Sequence, residues 1–184
     1  MSDRPKVIVL AGTAGTGKST IAHTLIGVYS GKCSNMKFIE GDDLHPKENV
    51  AKMASGTPLN DEDRWGWLQT VAKAGSEEAK QCPSKVSIVA CSSLKLKYRD
   101  LIRETVPDTD FSFVFLYASK ENILKRLYQR SGHFMKSDMA DSQFRDLELP
   151  LPDEKDCYIV NMDDKTYPEI EEIVHKVCDE IMAK

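Results

Sequence analysis

The stretch Gly12-Thr13-Ala14-Gly15-Thr16-Gly17-Lys18-Ser19 meets every fixed position of G-x-x-x-x-G-K-[ST]. Its flanks are what restrict the fold. The β-branched run Val7-Ile8-Val9-Leu10-Ala11 leads in, and Thr20 to Ile26 follows with Ile21, Leu25 and Ile26 at helical spacing. Strand, glycine-rich turn and helix in this order build an anion cradle. The glycines let the backbone take positive φ and come close to a polyphosphate, so that successive N–H groups and the positive end of the helix face phosphate oxygens. Gly12, Thr13, Ala14, Gly15, Thr16, Gly17, Lys18, Ser19 and Thr20 are therefore the expected contacts to a nucleoside triphosphate. Lys18 would reach the β- and γ-phosphates and act in transfer, and the Ser19 hydroxyl would ligate Mg²⁺.

The rest of the chain repeats the strand-then-helix pattern, which predicts an α/β fold: a five-stranded parallel sheet with helices on both faces, a three-layer arrangement. Strands are expected at Lys6–Ala11, Lys37–Glu40, Val86–Cys91, Phe111–Ala118 and Cys157–Val160. Helices are expected at Lys18–Tyr29, Pro46–Ala54, Asp61–Lys80, Leu94–Glu104, Lys120–Arg130, Ser137–Asp146 and Tyr167–Ala183. Two helices between the second and third strands, residues 46–80, exceed what a crossover needs and are expected over the acceptor side of the cleft. The 184 residues suit one domain, 1–184. Lys and Arg number 25 against 29 Asp and Glu, a net charge of −4, which gives no basic field for nucleic acid or an anionic membrane. Partners are expected to be small molecules. Five cysteines, none in C-x-x-C spacing, fit reduced thiols; with no secretory h-region and no long apolar run, a cytoplasmic location is expected.

Phosphoryl transfer needs a carboxylate at a strand end to help hold Mg²⁺. The third and fourth strands end without one. The second offers Glu40 and Asp42, two apart and so on one face if the chain stays extended. One would serve the metal, with Glu40 placed there, and the other, Asp42, would orient or deprotonate an acceptor hydroxyl. Which does which stays open at this point. Arg126 and Arg130, four apart, face one way along a helix and would clamp the transferring phosphate. Ser131-Gly132-His133-Phe134 after them reads as the start of a lid over about 130–143. Asp63-Arg64-Trp65-Gly66 spells a GTPase D-x-x-G, but it follows a helix start, Asn60-Asp61-Glu62-Asp63, and no N-K-x-D exists. Trp65, Trp67 and Leu68 read as cleft wall or core, with core favoured because large apolar side chains are mostly buried. By residue type alone His45 and His133 are surface histidines with no metal-ligand spacing.

The stretches Glu40-Gly41-Asp42-Asp43-Leu44-His45-Pro46, Pro58-Leu59-Asn60-Asp61, Asp63-Arg64 and Trp67-Leu68 resemble the gluconokinases. So do Ala90-Cys91-Ser92-Ser93-Leu94-Lys95, Tyr98-Arg99-Asp100, Gly132-His133-Phe134-Met135, Ser142-Gln143-Phe144 and Leu147-Glu148. The resemblance spans nearly the whole chain. It implies a P-loop kinase fold like that of shikimate and nucleoside monophosphate kinases, with ATP and Mg²⁺ as cofactors. The activity implied is ATP-dependent phosphorylation of D-gluconate to 6-phospho-D-gluconate. A homodimer is left open. Glu40 departs from the family, which often has Asp there. By analogy with shikimate kinases Arg64 is the candidate for gluconate's carboxylate, a group suited to a bidentate guanidinium, and the local acids Asp61 and Asp63 would fix its side chain. The resemblance adds His45, Ser92, Lys95, Arg99 and His133 to Asp42 as acceptor-side residues.

Overall fold

The computed structural model describes residues 3–33, 35–131 and 137–184, with side chains from 130 to 139 set aside. Five parallel strands form one sheet: β1 Lys6–Ala11, β2 Phe38–Glu40, β3 Val86–Ala90, β4 Asp110–Tyr117 and β5 Cys157–Asn161, in the order β2-β3-β1-β4-β5. Ile8 of β1 lies opposite Ile88 on one side and Ser112 on the other. The helices are α1 Lys18–Tyr29, α2 Lys47–Ala54, α3 Asp61–Gln81, α4 Leu96–Thr105, α5 Lys120–Ser131, α6 Ser137–Asp146 and α7 Tyr167–Ala183.

The central strands are apolar throughout because both faces are covered. Ile8 and Leu10 of β1 pack with Ile21 and Leu25 of α1 and Ile170 and Val174 of α7. Val7 and Val9, pointing the other way, pack with Leu68, Val71 and Ala72 of α3 and Ile102 of α4. Alternation along the strands thus generates the three layers. The reading of Trp67 and Leu68 as core holds: both are buried in this second layer, with Trp65 packed against it. Helix starts follow local chemistry. Asn60 caps α3 through a reciprocal capping box with Asp63, and Thr166 caps α7 with Glu169 in the same way.

Element boundaries match the sequence expectation to within two residues, with one consequential departure. The chain does not stay extended after Glu40: Gly41–Leu44 form a 3-10 turn. The premise that Glu40 and Asp42 share a strand face is therefore corrected. Only glycine fits at the start of this turn, since a Cβ at Gly41 would stand 2.3 Å from the Ala90 carbonyl oxygen. The fourth helix also starts two residues late, because Ser93 takes a left-handed φ of 47° and Lys95 is still extended as N-cap.

Candidate active site

The order β2-β3-β1-β4-β5 reverses direction on either side of β1, and a crevice at the carboxyl ends of the strands is where such sheets bind ligands. The glycine-rich loop opens there. Gly12, with φ of 130°, packs so closely on β4 that a Cβ would lie 2.3 Å from the Leu116 carbonyl oxygen, and its N–H donates to Ser92 O at 3.0 Å. The Thr16 hydroxyl turns inward to Thr13 O at 2.9 Å, so the threonine braces the loop and leaves its backbone to face a ligand. Helix α1 begins after Gly17 with no side-chain cap, its first-turn N–H groups directed at the loop. Lys18 Nζ folds back on the loop's own carbonyls, Gly12 O and Thr13 O, each at 2.9 Å. Burial lowers the pKa of this lysine, while the charges of Asp42, Cys91 and Glu40 oppose the shift.

The Ser19 hydroxyl donates a short hydrogen bond to Glu40 Oε2. Glu40 therefore stands beside the residue expected on Mg²⁺, and a hydroxyl with a carboxylate is a donor pair suited to that hard cation, which takes its remaining ligands from water and phosphate. Among the described residues no cluster of three or more His, Cys, Asp or Glu could hold a metal by itself. Asp42, in the 3-10 turn, is 81% exposed. The His45 ring lies against it, Nε2 to Oδ1 at 3.9 Å.

His45 is not the surface histidine that its residue type suggested. Its side chain is 3% exposed, stacked on Trp67 with ring centroids 4.0 Å apart. Trp67 Nε1 in turn donates to Gly41 O at 2.8 Å, tying the aromatic pair to the turn. Burial lowers the His45 pKa; Asp42 opposes this and Arg64 adds to it, so the ring is neutral near pH 7. The buried Asn49 amide reaches His45 Nδ1 at 3.1 Å. A donor there assigns the proton of the neutral ring to Nε2, on the Asp42 side.

Arg64, from the first turn of α3, is 13% exposed. Its Nη1 donates to Tyr98 Oη at 2.8 Å and to Asp146 Oδ2 at 3.3 Å, and the guanidinium lies 5.4 Å from the Tyr98 ring centroid. The expected pairing with the local acids is not formed. Asp63 is engaged by Asn60 and Lys52, and Asp61 by Lys95, Lys97 and Tyr98. The Arg64 Nε and Nη2 groups have no partner among the described residues. Lys95 Nζ completes the cluster, 3.1 Å from Asp61 and 3.8 Å from Asp146.

Arg99 requires a correction. It is 1% exposed and spends all five N–H donors within the protein: on both carboxylate oxygens of Glu154 and on the carbonyls of Ser93, Leu94 and Glu148. It holds the Ser93–Leu94 turn in place and has nothing left to offer a substrate. Ser92 contributes its carbonyl to the loop, as above, and its side chain is partly exposed beside the cleft. Cys91 is buried, which pushes its thiol up to about 11.

On the other side of the loop, Gly15, Gly17, Thr20, Arg126, Gln129 and Tyr167 line a cavity of about 350 Å³. Arg126 also lines a neighbouring one of about 610 Å³ with Asn122, Asp163 and Thr166. Its Nε is buried without a hydrogen-bond partner among the described residues, as suits a guanidinium that meets an anion in the loaded site. The Arg130 side chain and, within the expected lid, residues 132–136 with His133 lie outside the described residues, as do the side chains up to 139. From the expected lid's far end, Gln143 Oε1 accepts from Ala14 N at 2.6 Å. Sequence reasoning missed Tyr98, Gln143 and Asp146 as parts of this site, and placed Asp61 against Arg64 where it instead meets Lys95, Lys97 and Tyr98. The family-like stretches Tyr98-Arg99-Asp100 and Ser142-Gln143-Phe144 contained two of them.

With this geometry in hand, comparisons with known proteins narrow the family. The adenylylsulphate kinase family model matches residues 4–137. An APS kinase structure from Mycobacterium tuberculosis superposes with a TM-score of 0.65 at 20% identity, covering 97% of this chain and 98% of that one, which shows a common fold. A gluconokinase structure from Sinorhizobium meliloti superposes with a TM-score of 0.80 at 33% identity, covering 100% of this chain and 96% of that one. The thermoresistant gluconokinase of Escherichia coli is 43% identical over 85% of each chain. A probable gluconokinase of Saccharomyces cerevisiae is 61% identical over 94% of this chain and 90% of its own. A P-loop kinase fold with this degree of identity over nearly its full length means that the chain belongs to the gluconokinase family.

Proposed function

We propose that the protein transfers the γ-phosphate of ATP to D-gluconate, giving 6-phospho-D-gluconate for the pentose phosphate pathway. The observation that carries the choice of acceptor is the charge balance around Arg64. Arg64, Lys95 and Lys97 face two carboxylates, Asp61 and Asp146, which leaves an excess of one positive charge in this cluster. A small monoanionic acid neutralises it; an uncharged sugar does not. The free Nε and Nη2 of Arg64 suit the fork of a carboxylate, and Lys95 and Ser92 line the same side.

In this reading the loop amides and Lys18 hold the triphosphate, and Arg126 with Arg130 balances charge on the transferring group. Ser19 and Glu40 hold Mg²⁺, which supplies charge neutralisation on the phosphate oxygens when bound. Asp42 takes the proton of the acceptor hydroxyl as that oxygen bonds to the γ-phosphorus and the bond to the β–γ bridging oxygen breaks. His45, beside Asp42, and His133 belong to the acceptor side. The exposure of Asp42 supports the role, since a base must reach an incoming ligand, and its nearness to Lys18 supports placing it at the transfer point. A single domain and cytoplasmic residence belong to the same reading; no helix among the described residues is long and apolar enough to cross a membrane.

The deciding experiment is ADP release over a panel of sugar acids, neutral sugars, nucleoside monophosphates and adenylylsulphate. Gluconate should exceed every other acceptor in kcat/KM by about a hundredfold. Equal or better turnover of adenylylsulphate or of a neutral sugar would overturn the assignment.

A further inference from the structure

Helix α6 touches both halves of the site through two side chains one turn apart. Gln143 gives its Oε1 to the Ala14 amide, a group of the phosphate cradle, at 2.6 Å. Asp146 gives its carboxylate to Arg64 at 3.3 Å and stands 3.8 Å from Lys95. Residues three apart lie on one helix face, so a single rigid face reaches the nucleotide loop at one end and the acceptor's cations at the other. Each contact is an oxygen on a donor that faces the place of a substrate oxygen: phosphate at Ala14, carboxylate at Arg64.

We propose that α6 couples the two substrate sites, with Gln143 and Asp146 as positioning residues. This rests on the reading of Arg64 given above. Each residue tethers α6 to one half of the site. A phosphate oxygen in the cradle competes with Gln143 for the Ala14 N–H. An acceptor carboxylate on Arg64 puts two anions on one guanidinium and weakens its hold on Asp146. Either ligand loosens one tether, and because both tethers belong to one helix, the second ligand then meets less opposition. Nucleotide and acceptor therefore bind with positive cooperativity, and by linkage each raises the other's affinity by the same factor. The sequence spacing Gln143-x-x-Asp146 is the minimum that lets one turn of helix serve both sites.

Calorimetric titration of gluconate, with and without a non-hydrolysable ATP analogue and Mg²⁺, tests this. In the unsubstituted protein the analogue should tighten gluconate binding about fivefold or more, the lower end of usual coupling factors. In Gln143→Ala the gluconate affinity without analogue should move toward the loaded value, and the analogue should add less than about twofold. Asp146→Asn, nearly isosteric, should shrink the reciprocal effect of gluconate on analogue binding in the same way. A residue needed only for folding would lower the melting temperature and leave the coupling factor alone, so thermal unfolding is measured alongside. Absence of coupling in the unsubstituted protein, or full coupling retained in both variants, overturns the proposal. Arg64→Ala in the same titration separates the underlying reading: unchanged gluconate affinity would remove Arg64 from the acceptor site. Weakened affinity with coupling retained in both α6 variants would refute the role of α6 alone.

Discussion

Replacement of Arg64 by alanine is the perturbation that bears most directly on acceptor choice. Truncating one partner of a desolvated, hydrogen-bonded charge pair costs roughly 2–5 kcal/mol. Two features place this site at the lower end. Arg64 already shares Nη1 between Tyr98 and Asp146, and Lys95 remains as a second cation once the guanidinium is gone. About 2–3 kcal/mol corresponds to a rise of about 30- to 150-fold in the gluconate KM. The ATP KM should stay within about threefold, because the nucleotide cavity lies on the Arg126 side of the loop. Arg64→Lys keeps the charge but not the planar fork, and should recover only part of the loss. Steady-state ADP release with each substrate varied in turn gives both constants. An unchanged gluconate KM would refute the reasoning and leave Lys95 as the candidate cation, since Arg99 has no donor free. A parallel rise in both KM values would instead mean that removing Arg64 had disturbed the cleft as a whole.

Asp42→Asn should cut kcat by about 10² or more while binding of an ATP analogue, measured by calorimetry, stays intact; lost nucleotide affinity would move Asp42 to the metal side in place of Glu40. Gly41→Ala should destabilise the protein by about 2–4 kcal/mol in urea unfolding, because the new Cβ meets the Ala90 carbonyl, a backbone atom that cannot swing aside; a variant as stable as the parent would refute that packing. Glu154→Gln should cost about 3 kcal/mol by leaving Arg99 and part of Arg103 without their carboxylate, with little change in either KM; an altered gluconate KM would return Arg99 to the site. Burial pushes the Glu154 carboxyl up, but Arg99 and Arg103 outweigh it and hold it at about 2 against an ordinary 4.5. The unfolded chain thus binds more protons in that range, so this contribution is present above pH 4.5 and lost as pH falls toward 2. Acid unfolding of Glu154→Gln should show a weaker pH dependence in this window; an identical profile would contradict the linkage.

The strands, the helices and the phosphate loop were legible along the chain because their causes are local. The β-branched run at Val7–Leu10, the glycines of the loop and the Asn60 and Thr166 caps act within a few residues. The nucleotide half of the site followed for the same reason: Lys18 and Ser19 sit in one continuous motif. The acceptor half did not, because its partners meet across long separations. Whether Arg64 pairs with Asp61 or Asp63 or with Asp146, 82 positions away, depends on where α6 packs, and no local pattern carries that. Arg99 illustrates the limit from the other side. The resemblance puts it on the acceptor side, yet Glu148 and Glu154 fold over it and take three of its donors while Ser93 O and Leu94 O take the other two. His45 was misjudged alike, since a histidine in a polar turn reads as exposed until Trp67, arriving from α3, covers it. The positions of Glu40 and Asp42 also separated only in three dimensions. Two acids with one residue between them look equivalent in sequence, but the chain turns sharply at Gly41, which leaves Glu40 against Ser19 and Asp42 exposed on the turn.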